Sequence, residues 1–242
     1  LNNLVNLTFS DEPCYSKNLF PILLDCINDD VNKIANILPI IDQCFANNIN
    51  VVTAMEVLSE TITAFDKDTS IILNNHEKFY HYSLVGLQSN NWELINPAIL
   101  IFLYTKYAVI NAGGPQPTQI EPHYDLIINL GKDPNLYQQG SYFCKYWSII
   151  GGSIAKNMMP AEKIGELYDF IIAFSSNDNI PCDYRIVPLR SLVGAVGNLD
   201  FERFSLVLNL VFTLSITYVE RENRIPTEYF DLIEKSLVTL PV

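Results

Sequence analysis

The residues best suited to metal chemistry lie in the stretch NHEKFYHY, which contains His76, Glu77 and His81. A zinc protease carries the pattern H-E-x-x-H, in which two histidines four residues apart face the same side of a helix. Here the histidines are five residues apart, which turns His81 well away from His76 around a helix. The spacing therefore predicts a pair of surface or interface histidines and no zinc site.

Three acidic residues, Asp25, Asp29 and Asp30, form a second candidate. An all-helical terpene synthase holds magnesium with carboxylates at positions i, i+1 and i+4 of one helix face. The fourth position after Asp29 is Lys33, whose positive charge opposes such a site. A turn followed by a helix N-cap explains the Asp29-Asp30 pair, because a carboxylate accepts hydrogen bonds from the free amides of a first turn.

Other catalytic patterns are incomplete. The glycine pairs in GGPQP and GGSIAKN lack the G-K-[ST] sequence of a phosphate loop, and neither follows a predicted strand. No G-x-S-x-G motif occurs, and the three histidines are scattered. We therefore expect a chain that is not an enzyme, with no catalytic, cofactor-binding or metal-binding residues and no cofactor. Which residues bind a partner is left open at this stage.

Composition bears on the class of partner. The 242 residues are 49% hydrophobic and only 17% charged, with a net charge of −12. Lys and Arg are too sparse to form the basic stripe that binds phosphates, which argues against nucleic acid and anionic lipid. Opposite charge favours association, so we expect a protein partner with a basic or amphipathic segment. The oligomeric state is left open.

The five cysteines include no C-x-x-C pair, and most of them have apolar neighbours in the sequence. This usage favours a reducing compartment, so we expect an intracellular, cytoplasmic or nuclear protein. Residues 204–219 form the longest uncharged run, 16 residues. A membrane span needs about 20 apolar residues, so this run is predicted to be a buried helix and no membrane span is expected.

Apolar residues recur three and four positions apart along nearly the whole chain, which predicts an all-α fold. Eleven helices are expected, at 16–27, 30–46, 51–65, 70–87, 92–110, 124–130, 136–156, 161–174, 184–199, 201–222 and 227–240. One long connection, 111–123, contains two glycines and three prolines. We interpret it as a loop inside a single domain, 1–242, that is a fragment of a longer chain; a domain linker is the alternative.

Consecutive helix pairs give units of about 40 residues, at 16–46, 51–87, 92–130, 136–174 and 184–222. A helical hairpin cannot bury its apolar face alone, whereas stacked hairpins bury these faces jointly. The pattern therefore predicts an α-solenoid, a superhelix of stacked antiparallel helix pairs. Aromatic residues in NLYQQGSYFCKYW, at 135–147, are expected in its core, with a partner-binding patch as the alternative.

Two stretches carry a resemblance to HEAT repeats. FPILLDCINDDVNKIANIL has the proline-bearing first helix, the aspartate turn and the Val-x-Lys start of a second helix. DFIIAFSSNDNIPCDYRIVPLRSLVGAVGNL has an apolar helix, a polar turn and a second helix. The matching positions are Pro21, Leu23, Leu24, Asp29 or Asp30, Val31, Lys33, Ala35 and Leu38, and then Tyr184, Arg185, Ile186, Leu189, Leu192, Gly194 and Leu199.

The resemblance covers about a third of the chain, and it extends to armadillo and PCI-type helical arrays. It implies a right-handed superhelix that serves as a protein–protein interaction scaffold or adaptor. Two alternatives remain open. A PCI-type subunit of the proteasome lid or of translation initiation factor 3 would carry a winged-helix module beyond residue 242. An all-α enzyme or lipid-binding protein would enclose a central cavity.

Overall fold

A computed structural model describes residues 31–64, 69–114, 120–193 and 201–222, together with Ile22. Within these ranges the chain forms nine α-helices and one 3₁₀ turn, with no strand, which confirms the all-α prediction. The helices are α1 (Val31–Asn47), α2 (Val51–Ala64), α3 (Ser70–Leu87), α4 (Trp92–Asn111), α5 (Glu121–Gly131), α6 (Ser141–Ala155), α7 (Ala161–Ser175), α8 (Cys182–Val193) and α9 (Phe201–Glu222). The 3₁₀ turn, Leu136–Gln139, precedes α6.

Most predicted helix ends agree with the structure to within a residue or two, but α5 begins at Glu121, three residues before the predicted start at 124, and the end predicted at 199 lies outside the described residues. The predictions for 16–27 and 227–240, and the Asp29-Asp30 cap, lie outside the described residues, although Ile22 itself is helical. The single helix predicted at 136–156 is wrong, because Gly140 adopts a φ of 58° and separates the 3₁₀ turn from α6. That left-handed conformation suits glycine, which has no Cβ to clash with the backbone.

The ends of the early helices have local causes. Asn48 and Asn50 adopt positive φ angles of 54° and 52° between α1 and α2. Asparagine tolerates this region better than most residues, so these two residues suit the turn between α1 and α2. The N-cap of α4 is Asn91, whose side chain accepts a hydrogen bond from the amide of Glu93.

The chain divides into two compact units, Leu1–Leu126 and Ile127–Val242, and the boundary falls inside α5. In the first unit α4 is the central helix and packs against both α3 and α2. Its apolar side chains Ile99, Ile101, Phe102 and Leu103 are all fully buried. Gly86 of α3 allows the close approach, since a Cβ there would lie 2.6 Å from the Cβ of Ala98.

In the second unit α8 is the central helix and packs against α6, α7 and α9. Pro188 lies inside α8, which continues through it without restarting. The predicted aromatic core is confirmed for Phe143, Tyr146 and Trp147 of α6, each at most 1% exposed. Burial raises the pKa of Tyr146, whose hydroxyl donates a hydrogen bond to the carbonyl of Ile127.

In the part of the chain that the structure describes, two helices are long and apolar enough to cross a membrane by length and composition: α4 and the Phe201–Glu220 part of α9. They differ in burial, because 61% of the α4 window is buried in the fold against 28% of the α9 window. The length and hydropathy of α4 are therefore those of a helix buried in the core of the fold. The prediction that residues 204–219 form a buried helix is only partly confirmed, because one face of α9 is buried and the other is exposed.

Candidate interaction surface and pocket

The histidines singled out in the sequence both lie on α3. His76 is half-buried, and its Nδ1 lies 2.7 Å from the carbonyl oxygen of Leu73, whereas His81 is exposed. Across the described ranges, no three His, Cys, Asp or Glu side chains are grouped as metal ligands would be. The structure therefore brings no further ligand to either histidine in the part of the chain that it describes.

A buried polar cluster joins α3, α4 and α5 in the first unit. Lys106 donates a hydrogen bond to the hydroxyl of Tyr124, and its Nζ lies 4.6 Å from the centre of that ring. His123 stacks on Phe102 at 4.6 Å, with its Nε2 3.0 Å from the carbonyl oxygen of Tyr80. These residue types serve in acid–base catalysis, but each side chain here is less than 10% exposed. Their contacts join α3, α4 and α5.

α9 exposes an apolar stripe, which we define as Phe201, Leu208, Phe212, Ile216 and Val219. The positions are separated by seven, four, four and three residues, so they lie along one side of the helix. Phe201 is 75% exposed, Ile216 58% and Phe212 41%. No charged residue occurs from 204 to 219. At a rise of about 1.5 Å per residue the stripe is about 27 Å long.

The opposite side of α9 explains why the helix stays attached. Phe204, Val207, Val211 and Leu214 are at most 4% exposed and form its buried side. Cys182 of α8 contacts this side through its Sγ, which lies 3.5 Å from the carbonyl oxygen of Leu214. α9 is therefore anchored to the second unit by one apolar face while it presents another.

A surface pocket of about 280 Å³ lies between α6 and α8, within the second unit. Its lining includes Cys144, Trp147, Ser148, Gly152, Val187 and Arg190. Beside the pocket the two helices are in close contact at Gly151. A Cβ on this residue would lie only 3.0 Å from the Cα of Ser191. The Ser191 hydroxyl also donates a hydrogen bond to the carbonyl of Trp147, at 2.7 Å. Gly151 thus lies at a close helix contact, whereas a Cβ on Gly152 would meet none of the described residues within 4 Å.

Sequence reasoning missed both features. The pocket residues Cys144, Ser148 and Gly152 are spaced four apart on one helix face, a signal that the sequence does contain. In α9, the polar residues Asn209, Thr213 and Thr217 also follow helical spacing and mark an exposed side.

Comparison of the chain with known protein families, characterised proteins and solved structures finds no match in any of the three.

Proposed function

We propose that this protein is a non-enzymatic scaffold or adaptor, built as a HEAT-like array of stacked helical hairpins, that binds a protein partner on the apolar stripe of α9. The observation that carries the proposal is the exposure of Phe201, Phe212 and Ile216 on one uncharged helix face. Single exposed apolar residues are ordinary on protein surfaces, whereas contiguous apolar patches mark interaction sites. Aromatic residues also contribute disproportionately to binding energy at interfaces.

The geometry of the stripe favours a helical partner segment. A stripe about 27 Å long matches a partner helix of about 18 residues, at a rise of about 1.5 Å per residue. An amphipathic helix would place side chains spaced three and four residues apart along Phe212 and Ile216. Each end of the stripe has one acid and one base in the sequence, Glu202 with Arg203 and Glu220 with Arg221, while the whole chain carries a net charge of −12. Basic residues beside the apolar face of the partner would therefore favour association.

The test uses the full chain with a photo-crosslinking residue at position 201, together with the double variant Phe212→Asp/Ile216→Asp. We expect a specific protein to crosslink from position 201 and to bind the double variant at least about 30-fold more weakly, as losing two buried anchors implies. The matched control is Thr213→Asp/Thr217→Asp, which adds the same charge on exposed positions of the same helix outside the stripe. The control should bind as tightly as the unchanged chain.

Three results would contradict the proposal. The first is equal partner binding by both double variants, which would move the interface away from the stripe. The second is turnover of a small molecule by the purified chain without any partner. The third is binding to neutral lipid vesicles that depends on Phe212 and Ile216. That result would assign α9 to a membrane, which its length and composition allow.

A further inference from the structure

The pocket between α6 and α8 is separate from the stripe of α9 and has a chemistry of its own. Its volume of about 280 Å³ lies close to the lower end of the range for small-molecule sites, about 300 Å³. Two packed helices form its walls, so it does not depend on a loop conformation. The contact of Gly151 with Ser191 and the hydrogen bond from Ser191 to Trp147 fix the spacing of those walls.

Gly152 keeps the pocket open. A Cβ at this position would meet no atom within 4 Å, so any larger side chain here would extend into free space. Glycine in the middle of a helix costs about 0.5–1 kcal/mol relative to alanine. A Cβ at Gly151 would crowd the backbone of Ser191, whereas a Cβ at Gly152 would meet none of the described residues within 4 Å. Gly152 therefore leaves the space between α6 and α8 unfilled.

Arg190 gives the pocket a positive charge. Within the described ranges Lys78 pairs with Asp42, Arg185 with Asp178, and Lys132 and Lys163 with Glu166. Arg190 is exposed and forms no ion pair within the described ranges. A guanidinium is suited to bidentate hydrogen bonds with a carboxylate, sulfonate or phosphate.

The remaining lining groups suit the rest of such a ligand. Val187 and Trp147 supply apolar surface, and the hydroxyl of Ser148 supplies a hydrogen-bond donor. We propose that this pocket binds a small organic anion with an apolar or aromatic body, with Arg190 holding the acidic group. Cys144, an exposed free thiol in the lining, lies close enough to the bound molecule to report on it.

The experiment measures how fast two disulfide reagents modify Cys144 in the full chain, located by mass spectrometry of its peptide. The dianionic aromatic reagent is 5,5′-dithiobis(2-nitrobenzoate), and the neutral one is 2,2′-dithiodipyridine. In each case the Cys144 thiolate attacks one sulfur, a mixed disulfide forms, and one aromatic thiolate leaves. We expect the rate with the anionic reagent to saturate with its concentration, because the reagent occupies the pocket before it reacts.

Two variants and two matched controls test the role of the pocket. Arg190→Gln should lower the ratio of the anionic to the neutral rate by at least about tenfold, since a hydrogen bond between charged groups is lost. Lys145→Gln removes the same charge from an exposed neighbour of Cys144 that does not line the pocket. It should change the ratio less than about threefold, as expected for an exposed charge.

Gly152→Leu should fill the pocket and abolish saturation, whereas Gly165→Leu should not. Gly165 also lies inside a helix and faces open space, but it is outside the pocket. If Gly152→Leu fails to fold, Gly152→Ala and Arg190→Gln still decide the question. Equal ratios for Arg190→Gln and Lys145→Gln, or a rate that rises linearly with reagent in the unchanged chain, would overturn the proposal and leave Cys144 an ordinary surface thiol.

Discussion

At the scale of single residues, two buried tyrosines of α3 differ in whether their hydroxyl groups contribute to stability. Tyr80 and Tyr82 are 7% and 6% exposed. The Tyr82 hydroxyl donates a hydrogen bond to Asp42 at 2.6 Å, whereas the Tyr80 hydroxyl has no hydrogen-bond partner among the residues that the structure describes. Burial raises the pKa of Tyr80 to about 12. It also raises the pKa of Tyr82, with the hydrogen bond and the charge of Asp42 adding to the effect.

The two tyrosines should therefore respond differently to removal of the hydroxyl. Tyr80→Phe should leave the free energy of unfolding at pH 7 unchanged or raise it by up to about 1 kcal/mol, because a buried unpartnered group disappears. Tyr82→Phe should lower it by about 1–3 kcal/mol, because Asp42 loses a hydrogen bond to its charged carboxylate. Urea unfolding at pH 7 measures both. A loss of stability in Tyr80→Phe as large as that in Tyr82→Phe would contradict the assignment.

Tyr80 should also affect how the free energy of unfolding depends on pH above 10. Tyrosine ionises near pH 10 in the unfolded chain, whereas Tyr80 in the folded chain ionises only near pH 12. Between pH 10 and 12 the unfolded chain releases this proton while the folded chain keeps it. The free energy of unfolding is therefore unaffected below pH 10 and falls as the pH rises from 10 to 12. Tyr80→Phe should therefore reduce the alkaline loss of stability across this window, by about 2 kcal/mol.

At the scale of helices, close contacts depend on individual glycines. Gly86 of α3 lies against α2 and α4, where a Cβ would be 2.6 Å from the Cβ of Ala98 and 3.0 Å from the carbonyl oxygen of Leu94. The Leu94 oxygen is a backbone atom of α4, and the Ala98 Cβ is bonded directly to the backbone of the same helix. Neither atom can move without shifting α4. Gly165 of α7 lacks any such neighbour within 4 Å.

Alanine substitutions at these glycines should therefore have opposite signs. Gly86→Ala should lower the free energy of unfolding by about 1–3 kcal/mol, because it overpacks a buried helix contact. Gly165→Ala should raise it by about 0.5–1 kcal/mol through helix propensity alone. Thermal or urea unfolding of the two single variants checks both signs. If Gly86→Ala were as stable as Gly165→Ala, the close approach of α3 to α4 would be wrong.

The helix boundaries were predictable because their causes are local. Apolar spacing defines α3 to the residue, and asparagines with positive φ angles follow the end of α1. Gly140 was not predicted to break the helix, because its φ depends on how the 3₁₀ turn meets α6. The exposed stripe of α9 and the pocket beside Arg190 were missed for a related reason. Which helix faces stay uncovered depends on contacts between distant parts of the chain.

At the scale of the whole molecule, the acidic composition, the α9 stripe and the pocket beside Arg190 are all compatible with the proposed scaffold. The chain carries 27 acidic and 15 basic residues. This net negative charge motivates the proposal that the partner segment is basic. The α9 stripe offers apolar contact area within that surface, while Arg190 provides a positive charge for a small anion. A protein partner and a small ligand would therefore recognise different chemistry on the second unit.

The proposed stacked array makes a prediction about size in solution. A compact domain of 242 residues has a radius of gyration of about 18 Å. Hairpins stacked along one direction contact only their neighbours, so a solenoid of the same length is more extended. Small-angle scattering of the monomer should therefore give a radius clearly above about 18 Å. A value at the compact limit would favour the closed helical bundle with a central cavity and would contradict the array, whatever the α9 variants show.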